Sequence, residues 1–124
     1  MPGTLTLPRP ASAEEADPLP DVCVWEHVAR TIAWLDANRR DLRDPAARVA
    51  AIAADVGQTT AWIAAGRQRP GTDEDALAGK LCDLVLAALV ALTTVTGGTP
   101  QAESRLARHV AGRTVWLRYL EALS

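Results

Sequence analysis

The residues best suited to chemistry fall in two short runs. Ala54-Asp55-Val56-Gly57-Gln58 sets an acid and an amide three positions apart, and Lys80-Leu81-Cys82-Asp83 sets an amine and an acid at the same spacing. Positions three apart on a helix share a face. Two neighbouring helices that turn such pairs toward each other would enclose a crevice lined by two carboxylates, an amide and an ammonium. Mg²⁺, a hard ion that takes oxygen ligands, is the cation such a crevice would suit. The charge is wrong for it: Asp55 and Asp83 supply −2, Gln58 nothing and Lys80 +1, a net −1. An ammonium about 4 Å from a divalent cation is repelled by several kcal/mol at an intermediate effective dielectric. Magnesium binding on Asp55 and Asp83 is therefore expected to be weak or absent. Two other readings stay open. Lys80 and Asp83 can pair along one helix as a structural salt bridge, or Lys80 can stand in for a metal and hold a phosphate directly, with Arg105 or Arg108 helping. Trp62, four positions beyond Gln58, shares its face and offers an indole on which a base could stack.

Other constellations are excluded by spacing. Gly79-Lys80 is not a phosphate-binding P-loop, because Glu74 stands where its first glycine belongs and Leu81 replaces the required Ser or Thr. No serine or cysteine triad is evident. Cys23 and Cys82 are read as reduced, buried, small hydrophobes, and Cys23 with His27 lacks the second half of a zinc site. Arg105, Arg108 and His109 form a basic ridge.

These groups need helices to hold them. A first helix is expected from Val22 to about Asn38, capped by Asp21, with Trp25, Val28, Ile32 and Leu35 as its apolar stripe. The second opens with Asp44 as cap and Pro45 in the first turn, and should end near Ala65 with Gly66 as a left-handed stop. Its stripe is Val49, Ile52, Val56 and Ile63. The third opens at Thr72 and Asp75 and runs to about Thr96, stopping at Gly97-Gly98. Its second half is apolar nearly all round, so it must be covered on most sides, which predicts a homodimer burying it. The fourth opens at Thr99-Pro100, with Leu106, Val110 and Leu117 facing the core and Trp116 beside them. Four antiparallel helices with short links make an all-α bundle.

The chain's 124 residues fit one domain, here residues 21–124. Residues 1–20 carry five prolines and no apolar core of a leader, so they read as a disordered tail. The formal charge of −2 argues against a nucleic-acid polycation, and no uninterrupted apolar run reaches the roughly 18 residues of a membrane span. A cytoplasmic location is expected.

With those residues in view, the chain resembles the MazG-like nucleotide pyrophosphohydrolases. The family pattern is E-E-V-G-E on one helix and E-L-x-D-V on the next; here the corresponding text is Ala54-Asp55-Val56-Gly57-Gln58 and Lys80-Leu81-Cys82-Asp83-Leu84. Trp34-Leu35-Asp36-Ala37-Asn38 is similar to a helix ending of actinobacterial members, and Leu106-Ala107-Arg108-His109-Val110 to the fourth helix. The resemblance covers roughly residues 25 to 115. It implies a four-helix bundle and a Mg²⁺-dependent hydrolysis of nucleoside triphosphates to a monophosphate and pyrophosphate. Of the four ligand positions only Asp83 is unchanged. The departures imply weak or lost catalysis and a nucleotide- or phosphate-binding or regulatory role, with Trp62, Lys80, Arg105 and Arg108 as binding residues. A paralogue supplying the missing carboxylates in a heterodimer is a further expectation.

A rival reading takes residues 52–71 as a helix-turn-helix. Ala53, Gly57 and Ile63 fall at the positions that pack and turn such a motif, and Thr59, Thr60 and Trp62 would face a major groove. The two readings part at Gly57: the bundle needs one continuous helix there, the DNA binder a turn.

Overall fold

The computed structural model describes residues 23–67 and 73–124, and among these every element is helical. The order is α1 (Val24–Asn38), a single 3-10 turn (Arg40–Leu42), α2 (Pro45–Arg67), α3 (Glu74–Thr96) and α4 (Thr99–Leu123). The expected tail, Asp21 and Thr72 lie outside the described residues.

The helix ends follow local chemistry. Asp44 accepts the Ala47 N–H at 3.0 Å, so α2 starts at Pro45 as its cap and proline require. Its expected stop fails: α2 runs through Gly66 to Arg67, and Gly97 is the one glycine with positive φ among the described residues. α3 is capped by Asp73, whose Oδ1 accepts from Asp75 N at 3.0 Å and Ala76 N at 3.4 Å; of the expected Thr72–Asp75 capping pair, Asp75 donates its backbone N–H to this cap. At the far end Gly97, φ 93°, donates its N–H to the Thr93 carbonyl. Only glycine adopts that conformation without strain, and Pro100 opens α4 one turn later.

Val28 and Leu35 of α1, Leu42 of the 3-10 turn, Ala51 and Ile52 of α2 and Val90 of α3 form the core. Ile32 and Val56 pack against it, and Trp25, Val49 and Ile63 are half-buried. The segment Arg39–Arg43, which reads as merely charged, delivers Leu42 to that core. It is tied down by Arg48, only 4% exposed, whose Nε donates to the Leu42 carbonyl at 2.9 Å and whose guanidinium pairs with Asp36. Arg43 adds a bond to the Asp36 carbonyl at 2.8 Å. One buried cation thus fastens the end of α1, the 3-10 turn and the start of α2.

α2 packs on α3, and α1 on both α3 and α4. α4 joins the body through its first two turns alone. Ala102 is fully buried and Leu106 half-buried, but every residue from Ala107 to Ser124 is exposed. Val110 and Leu117, expected in the core, therefore face outward. So does Trp116, 53% exposed and stacked on Tyr119 at 5.3 Å between ring centroids. Periodicity marked their face as apolar, but nothing described in the chain covers it. Both cysteines are also exposed rather than buried. α3 is long and apolar enough to cross a membrane by length and composition, with a mean hydropathy of 1.9 in its best window, even though Lys80 and Asp83 interrupt it.

Candidate functional site

The two runs singled out by spacing lie on α2 and α3, the pair of helices in the most extensive contact. α2 is unbroken through Gly57, so Gln58, Thr59 and Trp62 project from one continuous face. The backbone turn that a helix-turn-helix over 52–71 needs at Gly57 is not there. A Cβ added at Gly57 would meet nothing within 4 Å, so no close approach demands glycine at that point.

Gln58, Thr59, Trp62 and Lys80 line an open cleft of about 150 Å³. Lys80 reaches across from α3 and sets its ammonium 5.7 Å from the centre of the Trp62 ring, a cation–π distance. Trp62 is 50% exposed, so much of its indole remains open to solvent.

Of the four positions in the expected crevice, Gln58 and Lys80 meet in the cleft. Asp55 and Asp83 are half-buried on the same helices and lie outside its lining. Arg105 and Arg108, expected to assist, are exposed on α4 and are not brought to the cleft. Thr59 is the residue that reading the site from its motif missed. The signal was available, since Thr59 stands three before Trp62 and so shares its face.

Among the described residues no group of three or more His, Cys, Asp or Glu side chains converges as a metal site. Among the described residues the cleft is lined by an amide, a hydroxyl, an indole and a cation, without a carboxylate. What it can do is attract an anion, orient it through neutral hydrogen-bonding groups and support a flat ring beside it. At that volume it is smaller than pockets that enclose a whole ligand, so it is a surface cleft that could hold only part of one.

No family model matches the chain, nor does any curated protein or solved structure. The fold and the cleft define a class no narrower than an all-α helical protein with a cation–indole cleft between its two central helices.

Proposed function

We propose that this is a MazG-like protein whose magnesium site has been dismantled and whose cleft binds a phosphate-bearing ligand, a nucleotide, without metal. The observation that carries the reading is the Lys80 ammonium poised over Trp62 beside Gln58 and Thr59. A lysine is a compact point charge that binds phosphate through charge-assisted hydrogen bonds. Gln58 and Thr59 supply neutral donors for the remaining phosphate oxygens, and the open part of the indole gives a base a stacking surface. The family's metal chemistry asks for four carboxylates, and the substitutions at Gln58 and Lys80 remove one charge and reverse another. Catalysis is then weak or lost, and the role is binding or regulation. Such a protein suits the cytoplasm, where its two exposed thiols stay reduced.

The reading is tested by titrating Mn²⁺ calorimetrically into the wild type and a Gln58→Glu, Lys80→Glu double variant. The wild type should give no heat of specific binding and no pyrophosphate from Mg²⁺ with nucleoside triphosphates. The double variant should bind the metal measurably. Robust turnover by the wild type would overturn the proposal.

A further inference from the structure

The two ends of the cleft differ in charge. A Cβ at Gly66 would meet Leu77 Cδ2 at 3.7 Å, and one turn further in Trp62 meets Lys80. Residue numbers fall along α2 as they rise along α3, so the two helices run antiparallel. Carrying that register on by three positions sets Asp83 about 4.5 Å along the axis beyond Lys80, level with Gln58 and Thr59. Asp55 follows a further 4.5 Å or so past Gln58, toward the core at Ile52 and Val90. The indole and the ammonium therefore mark the outer end of the cleft, and two half-buried carboxylates stand past its inner end.

Three side chains of the lining can donate to an anion: Lys80 through its ammonium, Gln58 through its amide and Thr59 through its hydroxyl. A terminal phosphate, esterified once, presents three free oxygens and a charge of about −2 near neutral pH. A phosphate inside a polyphosphate chain presents only two free oxygens and less charge. The Lys80 ammonium lies 5.7 Å from the centre of the Trp62 ring. With a charge-assisted hydrogen bond of about 2.8 Å, a phosphate oxygen held by Lys80 stays within about 9 Å of that centre. A base on the indole and a phosphate on the ammonium are thus separated by a single ribose.

Resting on the reading of the cleft as a phosphate site, we infer that it selects a nucleoside monophosphate over the corresponding triphosphate. Only in the monophosphate is the terminal phosphate also the one next to the ribose, so base and terminal phosphate engage together. A triphosphate makes one of these contacts at a time. With its base on Trp62 it offers Lys80 an internal phosphate and sends two more phosphoryl groups onward. Inward they meet the charges of Asp83 and Asp55. Outward they meet water, since among the described residues Lys80 is the one cation lining the cleft. With its end phosphate on Lys80 instead, the triphosphate carries its base off the indole. At about 150 Å³ the cleft does not enclose the longer chain folded back on itself.

Calorimetric titration of the full-length chain in excess EDTA at low ionic strength tests the selectivity, with adenosine monophosphate, adenosine triphosphate and inorganic phosphate as probes. The monophosphate should bind about tenfold or more tightly than the triphosphate, and more tightly than inorganic phosphate, which lacks the base. Two variants should narrow the ratio from opposite sides, with their helical circular dichroism retained. Thr59→Val keeps the shape of the side chain and should weaken the monophosphate about fivefold, the triphosphate less. Asp55→Asn removes a charge that the longer chain approaches and should tighten the triphosphate several-fold, the monophosphate less. A triphosphate that binds as tightly as the monophosphate, or a ratio that neither variant moves, would overturn the selectivity while leaving the phosphate site standing. Absence of binding by all three probes would overturn the phosphate site and the selectivity together.

Discussion

Two cations sit between helices in this protein, and they are held in opposite ways. Arg48 is buried, its Nε spent on the Leu42 carbonyl and its guanidinium on Asp36. Lys80 is half-buried at the wall of an open cleft, against an indole face that accepts no conventional hydrogen bond. A cation satisfied by protein oxygens is a structural part, because removing it strands the groups it served. A cation resting on an aromatic ring keeps its three N–H donors for something else. The contrast assigns Arg48 to the fold, and it is what the proposed function rests on in giving Lys80 to a ligand.

That assignment is broken or sharpened by substitutions, beginning with the largest effect. Arg48→Ala should destabilise by about 2–3 kcal/mol in urea titration, since a buried carbonyl loses its donor and packing is lost with the side chain; the half-exposed Asp36 regains water and limits the cost. Arg48→Lys should recover little, because an ammonium lacks the planar fork that serves two acceptors at once. Lys80→Gln should cost stability less than about 1 kcal/mol, the worth of a half-exposed cation–π contact. If Lys80→Gln unfolds the protein as Arg48→Ala does, the two cations are alike and the contrast fails.

Gly57→Ala comes next. It should raise stability by about 0.5–1 kcal/mol, because the position is mid-helix with open space around it. A protein that turns at this glycine would instead lose stability, so the sign in a thermal melt separates the continuous helix from the helix-turn-helix.

The smallest effect belongs to a third cation, Arg39, whose Nε and Nη2 bind the Asp41 carboxylate at 3.1 and 2.9 Å at the surface. That hydrogen bonding holds the Asp41 carboxyl below its ordinary range and raises the Arg39 guanidinium. The pair's contribution is present above the ordinary carboxylate range and is lost as pH falls through the lowered value. Asp41→Asn should leave the acid side of the stability profile slightly flatter, and salt should weaken the effect further.

Much of this arrangement was legible in the residues and some of it was not. Caps and breakers act locally, so Asp44, Pro45, Gly97 and Pro100 announced their helix ends. Gly66 misled because a glycine permits a left-handed stop without requiring one, and helix propagation through it costs only about 1 kcal/mol. Leu42 and Arg48 were hidden inside charged text, since burial of an arginine depends on acceptors that only the tertiary fold assembles. Periodicity marked the apolar face of α4 but not what covers it, and Val110, Trp116 and Leu117 lie open in the chain. At the site, spacing placed four residues on facing helices. Which of them converge depends on the rotation of each helix about its axis, and that brought Gln58, Trp62 and Lys80 together with Thr59 while leaving Asp55 and Asp83 aside.

The central claim is that Lys80, and no metal, holds the phosphate. The most direct measurement is tryptophan fluorescence during titration with a nucleoside monophosphate in excess EDTA, for wild type, Lys80→Gln and Trp62→Phe. Saturable quenching should appear in the wild type with chelator present, weaken about tenfold or more in Lys80→Gln through loss of a charged hydrogen bond, and vanish as a signal in Trp62→Phe. Quenching that requires added Mg²⁺, or that Lys80→Gln leaves unchanged, would contradict it.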